Sequence, residues 1–167
     1  MLRMKFSGKI ATFAKPETVI AHLTQTKMKR IFIIIFAGLI LATVVKGQTL
    51  HLYGGKNHDD YLGCLNCNSY DQNSIWNEYG KYGNIYNSNC IWNEYSTYGN
   101  EYNSYSPWNS YSNYPPVVVD MDGNFYGYFT VNEYKSKRAE FDLALLIYKY
   151  HELIRKDVGK WYEKIFN

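Results

Sequence analysis

A unit of sixteen residues is written three times without an insertion between residues 67 and 114, and this limits the folds open to the chain. The units read CNSYDQNSIWNEYGKY, GNIYNSNCIWNEYSTY and GNEYNSYSPWNSYSNY. Because so short a unit can bury an aromatic face only against its neighbour, the pattern predicts a stacked array. Six positions never change, namely Asn68, Tyr70, Trp76, Asn77, Tyr79, Tyr82 and their equivalents in the other two units.

Residues 1–47 differ from the remainder and are interpreted as a leader. Met28 opens a short basic segment, and residues 31–45 form an apolar run of fifteen residues. That run is shorter than the roughly 20 residues that a membrane-spanning helix needs. Residues 45–47 suit signal peptidase, so we predict a secretory signal over 28–47 and a mature chain from Gln48. An uncleaved anchor is the alternative, and Met28 is favoured over Met1 as the initiator, with an upstream extension before it.

The net charge of the predicted mature chain is negative, although that of the whole chain is positive. The whole chain carries +3, and residues 1–47 hold eight Lys or Arg and one Glu, so residues 48–167 carry −4. Within that part, residues 48–132 are acidic and residues 133–167 are mildly basic. The composition therefore gives no support for nucleic-acid binding, and it places a boundary near residue 132.

Two β-hairpins are predicted on either side of the repeats, over 48–66 and 115–132. In each hairpin, residues that favour turns separate two extended runs, and Asp122 with Gly123 forms a strong turn pair in the second. The segment YLGCLNCNSY from Tyr61 also aligns with FYGYFTVNEY from Phe125, an offset of four repeat lengths. This alignment favours a duplicated ancestor.

Inside each repeat the residue two before Trp resembles a helix N-cap. Ser74, Cys90 and Ser106 occupy this position, and Pro107 suits a first helical position. We therefore predict one-turn helices in the array of residues 67–114, ordered by packing between repeats. Low-complexity disorder is the alternative for a tract so rich in Tyr, Asn and Ser.

A helical apolar stripe follows in the C-terminal segment, residues 133–167. It starts from about Lys137, and Gly159 is a candidate break. The mixed charges on the other face favour a helix packed on the domain over one lying on a membrane. The stripe consists of Leu143, Ile147, Tyr150, Ile154, Val158, Trp161 and Ile165.

The three cysteines leave several interpretations open. Cys64 and Cys67 form a CxxC pair, for which a disulfide is the first expectation in a secreted chain. Unpaired structural cysteines and a metal site completed by Cys90, His51 or His58 are the alternatives. Cys90 stands where the sister repeats have Ser, which favours a tolerated substitution.

Two polar motifs are candidates for chemistry. Asp120, Asp122 and Asn124 resemble the start of a calcium loop, but its distal Glu is missing, so a hairpin turn is favoured. The His58–Asp60 run lies in a loop without an identifiable nucleophile. We therefore predict no enzymatic activity, no cofactor and no metal site.

The repeated aromatic residues are the strongest signal, and they have two interpretations. Exposed rings beside Asn amides would stack on sugars, whereas rings recurring at a fixed phase would also fill a solenoid-like core. The core is favoured for these rings, Trp and Tyr alike, and Trp92, with a neighbour on each side, is expected to be the most buried of the three Trp residues. The candidates for ligand stacking or for the core are Trp76, Trp92, Trp108, Tyr79, Tyr95 and Tyr111.

The chain resembles an uncharacterised family of bacterial secreted proteins with tandem repeats of the YLGxLNxNxYDxxSxxNxYGxYG type. YLGCLNCNSYDQNSIWNEYGKYGNIYNSNCIWN from Tyr61 and DMDGNFYGYFTVN from Asp120 carry the resemblance. It implies no known activity. The Trp residues and the pair Cys64 and Cys67 depart from that family's pattern.

Together these features predict an α+β fold: a small antiparallel sheet from two β-hairpins, an aromatic repeat array and a C-terminal amphipathic helix. The expected location is secreted, periplasmic or cell-surface, with membrane contact only through the signal segment. The expected function is a binding module for an envelope polysaccharide or another surface component. A structural or assembly module that packs against itself or a protein partner is the alternative.

Overall fold

The computed structural model describes residues 47–167. The predicted signal peptide, the upstream extension and the choice of initiator lie outside the described residues, apart from Gly47 at their boundary. No helix among residues 47–167 combines the length and the apolar character that crossing a membrane would require.

Four short strands form one antiparallel sheet. They are β1 (Leu50–Gly54), β2 (Asp60–Cys64), β3 (Val117–Asp120) and β4 (Phe125–Tyr128). The order in the sheet is β2-β1-β3-β4, so the two predicted hairpins are joined through their first strands. With the C-terminal helices, this sheet confirms the predicted α+β fold.

The sheet has a local two-fold symmetry that matches the predicted duplication. Leu52 and Val118 pair with each other at its centre, and each also pairs with a glycine of its own hairpin, Gly63 or Gly127. Both glycines have positive φ values, of 112° and 125°. Residues with a side chain rarely adopt this conformation, which explains why glycine recurs at an offset of four repeat lengths.

The chain after each hairpin folds back on its edge strand in the same way. Cys64 forms a parallel bridge with Ser74, and Tyr128 forms the equivalent bridge with Arg138. These bridges occupy hydrogen-bonding groups of both edge strands, which would otherwise be open to pairing with another chain.

The repeat array consists of consecutive turns and contains no helix. In the central unit the carbonyls of Asn84, Asn87, Cys90 and Asn93 each accept a hydrogen bond from the amide three residues on, at 2.9 to 3.2 Å. The prediction of one-turn helices is wrong in this respect, because the chain changes direction after each single turn. The predicted cap is present as a local bond, since the Ser74 hydroxyl accepts from the Trp76 amide at 3.1 Å.

The invariant Asn residues hold these turns together. In the central unit Asn93 accepts a hydrogen bond from the Tyr95 amide at 3.0 Å and donates its side-chain amide to the Asn87 carbonyl, also at 3.0 Å. The other invariant Asn of the unit makes the same kind of contact, since the side chain of Asn84 accepts a hydrogen bond from the Tyr86 amide. Only an amide side chain of this length supplies both an acceptor and a donor here, so the repetition of Asn has a structural cause.

Two helices close the fold, α1 (Asp142–Ile154) and α2 (Val158–Phe166). The predicted stripe is buried or half-buried, but the helical region begins at Asp142 rather than Lys137, which has a positive φ of 56°. Gly159 does not break the helix and lies inside α2. The break lies just before it, where Asp157 caps α2 by accepting a hydrogen bond from the Lys160 amide at 3.0 Å.

Candidate functional site

The three repeated Trp residues form a buried ladder. Trp76, Trp92 and Trp108 are 1%, 1% and 4% exposed, and their neighbouring ring centroids lie 5.7 and 5.5 Å apart. The expectation that Trp92 is the most buried is wrong in that Trp76 equals it. Tyr162 and Phe166 of α2 cover the outer face of Trp76, and their ring centroids lie 6.2 and 5.7 Å from that of Trp76.

Hydrogen bonds link each indole of this Trp ladder to the preceding unit. The Trp92 and Trp108 indole N–H groups donate to the carbonyls of Ile75 and Ile91, both at 2.6 Å. At the start of the ladder, Trp76 donates to the Leu65 carbonyl at 2.8 Å. Each ring therefore contributes packing and satisfies a buried carbonyl.

The ladder is closed at its C-terminal end as well. The carbonyl of Pro107 occupies the same repeat position as those of Ile75 and Ile91. It accepts a hydrogen bond from the backbone amide of Val131 at 2.8 Å. The ring of His151 stacks on Trp108 with centroids 4.7 Å apart, and Phe129 meets Trp108 edge-on. Protein atoms cover both ends, so the Trp ladder offers no open face on which a ligand could stack.

The invariant Tyr positions divide between core and solvent. Tyr79, Tyr95 and Tyr111 are 96%, 88% and 89% exposed, so the prediction that the repeated rings fill the core is wrong for these three. In contrast, Tyr82 and Tyr98, which share another invariant repeat position, are buried, and the third member of that position, Tyr114, is 37% exposed. A second row, Tyr70, Tyr86 and Tyr102, is also exposed, and its backbone is fixed by the Asn two residues before each member.

A groove lies between the array and the link from α1 to α2. Its largest hollow has a volume of about 560 Å³. Two adjoining hollows of about 380 and 340 Å³ extend it towards Tyr102 and towards Tyr79, and all three contact Arg155. We call it the Arg155 groove, and its largest hollow is lined by Tyr86, Glu94, Tyr95, Glu152, Arg155 and Lys156 among others.

Arg155 connects the helices to the array. Its guanidinium donates to the Gly99 carbonyl at 3.0 Å and lies 3.8 Å from Glu94 and 3.9 Å from Glu152. Its Nε atom is buried without a hydrogen-bond partner among the described residues. Arg155 is not singled out by the sequence, and no motif marks it, because Glu94 and Gly99 come from a distant part of the chain.

Charge and aromatic surface lie side by side at this groove. Side-chain hydrogen bonds to the neighbouring Glu94 and Glu101 raise the pKa values of Tyr95 and Tyr102. Each of these two phenols, which is neutral near pH 7 in any case, lies beside a carboxylate. The groove consequently presents ring faces together with negatively charged acceptors.

Two of the three cysteines form a disulfide, and the third is a buried thiol. Cys64 and Cys67 form a disulfide with their Cα atoms 5.5 Å apart. Cys90 is a free, fully buried cysteine, and burial raises the pKa of its thiol to about 12. It lies at the position of Ser74 and Ser106 in the turn before Trp.

We expect the Cys90 thiol to be unreactive in the folded protein. At pH 8 the raised pKa leaves almost no thiolate, and burial blocks the reagent, so iodoacetamide should not label native protein within minutes. Unfolding in denaturant without reductant should expose one labelled thiol, counted by mass spectrometry. Rapid labelling of native protein would contradict the burial, and three labelled thiols after unfolding would contradict the disulfide.

The remaining polar candidates are occupied by local structure. Asp120 accepts hydrogen bonds from the Asp122 and Asn124 amides and from the Asn124 side chain, and the last of these chiefly lowers the pKa of Asp120. This is the arrangement of a hairpin turn. Within residues 47–167 no group of three or more His, Cys, Asp or Glu side chains is placed to hold a metal.

The first hairpin loop is likewise tied to its surroundings. His58 lies 3.2 Å from the Pro115 carbonyl, and Asp60 accepts a hydrogen bond from the Tyr98 hydroxyl. His51 contacts the Tyr61 hydroxyl at 2.8 Å, and burial lowers the pKa of His51. The first two contacts hold the hairpin against the array and the segment after it, and the third lies within the sheet.

No protein-family model matches the chain, and searches of curated proteins and of solved structures found no significant match. The fold and the groove therefore define its class: a small α+β domain whose repeat array presents exposed tyrosines beside a charged groove.

Proposed function

We propose that this domain is an exported, non-enzymatic module that binds an envelope glycan along the Arg155 groove. The observation that carries the proposal is the placement of Tyr86 and Tyr95, two exposed aromatic rings, at the largest hollow of the molecule's groove. Tyrosine rings combine an apolar face with a polar hydroxyl, which suits contact with the C–H face and the hydroxyls of a sugar.

The surrounding side chains support the same proposal. Asn93, Glu152 and Lys156 line the hollow beside the two rings and offer hydrogen-bond donors and acceptors. The exposed rings make little contribution to the buried core, so their repetition is not explained by packing. Aromatic faces with a few polar groups are the usual lining of a ligand site.

Export is supported by two independent features. The apolar run at residues 31–45 resembles a signal sequence, and the Cys64–Cys67 disulfide is of a kind that persists in oxidising compartments. The location proposed for the domain is therefore the periplasm, the cell surface or the medium.

A structural or assembly module is the second candidate, because the same exposed rows of tyrosine would also suit contact with another protein. Such an assembly would have to form along the sides of the array. Its ends are covered, at Trp76 by Phe166 and at Trp108 by His151.

We expect the double variant Tyr86→Ala/Tyr95→Ala to lose retention on isolated envelope polysaccharide while remaining folded. Loss of stacking at two positions should weaken binding by at least about tenfold, since each aromatic contact contributes on the order of 1 kcal/mol. Pull-down on the polysaccharide and a thermal melt provide the two measurements.

The matched control is Tyr134→Ala, which removes an equally exposed tyrosine that does not line the groove. It should bind as the wild type does. Equal retention of the double variant and the wild type would contradict the groove as the binding site. Dimers or larger species in light scattering that the double variant abolishes would instead favour the assembly function.

A further inference from the structure

The Arg155 groove carries more negative than positive charge. Its three hollows are lined by the carboxylates of Glu78, Glu94, Glu101 and Glu152, against the two cations Arg155 and Lys156. Four carboxylates and two cations give a formal charge of −2. Residues 48–167 as a whole also carry −4, so the wider surface does not reverse this sign.

The main cation of the groove is already engaged. Arg155 contacts Glu94, Glu152 and the Gly99 carbonyl, and its side chain is only 13% exposed. It is therefore poorly placed to bind an anionic ligand. Glu101, by contrast, forms no ion pair within the described part of the chain.

Carboxylates and aromatic rings alternate along the array side of the groove. Glu94 directly precedes Tyr95 and Glu101 directly precedes Tyr102, and all four side chains line the same hollow of the groove. An ammonium group is attracted both by a carboxylate and by the face of an aromatic ring. A neutral sugar would lack this ionic attraction to the carboxylates, and an acidic sugar would be repelled by them.

From this juxtaposition we propose that the glycan bound in the Arg155 groove is one whose sugars carry free ammonium groups, such as a de-N-acetylated hexosamine polymer. The inference rests on the glycan-binding function proposed above. In this arrangement the sugar faces stack on Tyr86 and Tyr95 while ammonium groups contact the carboxylates of Glu94 and Glu101.

The test uses three soluble oligosaccharides of equal length: glucosamine, N-acetylglucosamine and galacturonic acid hexamers. Calorimetric titration at pH 6 should show the glucosamine hexamer binding about tenfold more tightly than its acetylated form, with the galacturonate weakest. Raising the salt concentration should reduce this preference, because the added attraction is electrostatic.

The variant Glu101→Gln isolates the charge contribution. It keeps the size of the side chain and breaks no ion pair seen in the structure, so the variant should fold. Its preference for glucosamine over N-acetylglucosamine should fall severalfold, while its affinity for N-acetylglucosamine should stay unchanged. A matched change away from the groove, Glu133→Gln beside Tyr134, should leave both affinities as they are.

The outcomes separate this inference from the function on which it rests. Failure of all three oligosaccharides and of the isolated envelope polysaccharide to bind would overturn both, whereas retention on the polysaccharide without binding of the glucosamine hexamer would overturn only the ammonium preference. Binding of the acetylated or the acidic hexamer as tightly as glucosamine would overturn only the ammonium preference. Equal binding of a polylysine peptide of matched charge would also overturn it, because it would show a basic peptide to be an equally good ligand.

Discussion

Replacing Trp92 by alanine is expected to destabilise the domain by about 3 to 5 kcal/mol. The change removes ring contacts with both Trp76 and Trp108, at 5.7 and 5.5 Å, from a fully buried site. It also leaves the Ile75 carbonyl without the indole N–H that now lies 2.6 Å away. Since small domains are stable by only about 5 to 15 kcal/mol, this single change should remove between a fifth and all of the free energy of unfolding.

Two controls separate the sources of this loss. Trp92→Phe keeps an aromatic ring but not the hydrogen bond, so it should cost less, about 1 to 3 kcal/mol. Tyr95→Ala, in the same repeat but exposed, should change stability by no more than about 0.5 kcal/mol. Urea unfolding followed by tryptophan fluorescence measures all three, and a Trp92→Ala protein with an unchanged midpoint would contradict the central place of the ladder.

Gly99→Ala should be the second severely destabilising change, at about 3 kcal/mol or more. A Cβ atom at Gly99 would lie 2.5 Å from the carbonyl carbon of Asn93 and closer still to its oxygen. The obstacle is backbone, held by the Asn93 turn, and cannot move aside as the end of a side chain could. Gly83 approaches Asn77 in the same way one repeat earlier, so the glycine recurs for a steric reason.

Gly123→Ala is the matched control for this prediction. Gly123 has a positive φ of 82°, but its Cβ would meet no atom within 4 Å. Its cost should therefore be limited to backbone strain, about 1 kcal/mol. Thermal melts of the two variants should differ clearly, and an equal effect would show that conformational strain, rather than close packing between turns, limits the array.

Local sequence was sufficient for the features that depend on short-range chemistry. Turn residues located both hairpins, and the fixed phase of the Trp residues indicated a packed ladder. The offset between Gly63 and Gly127 predicted two equivalent hairpins, which the sheet shows as a local two-fold. Such patterns can be recognised in a sequence because a positive φ favours glycine at one particular position, and ring burial favours an aromatic residue at another.

The helices in the repeats were predicted wrongly for a related reason. A Ser that accepts a hydrogen bond from the amide two residues on, as Ser74 does, begins both a helix and an isolated turn. The residues after the Ser decide between the two structures. Here the Asn77 side chain bonds back to the Asp71 carbonyl and closes the turn, a contact across six residues that helix-start signals do not contain.

The sequence by itself determined that the chain has two related hairpins around a three-unit aromatic array, because repetition and turn chemistry are written in adjacent residues. Only the tertiary structure decided which invariant rings serve the core. Tyr79 and Tyr82 are equally invariant, yet one faces solvent and the other is buried, since their directions depend on how successive turns are stacked. The groove also belongs to the tertiary structure, because Arg155 meets Glu94 and Gly99 only when α1 and the link after it pack along the array.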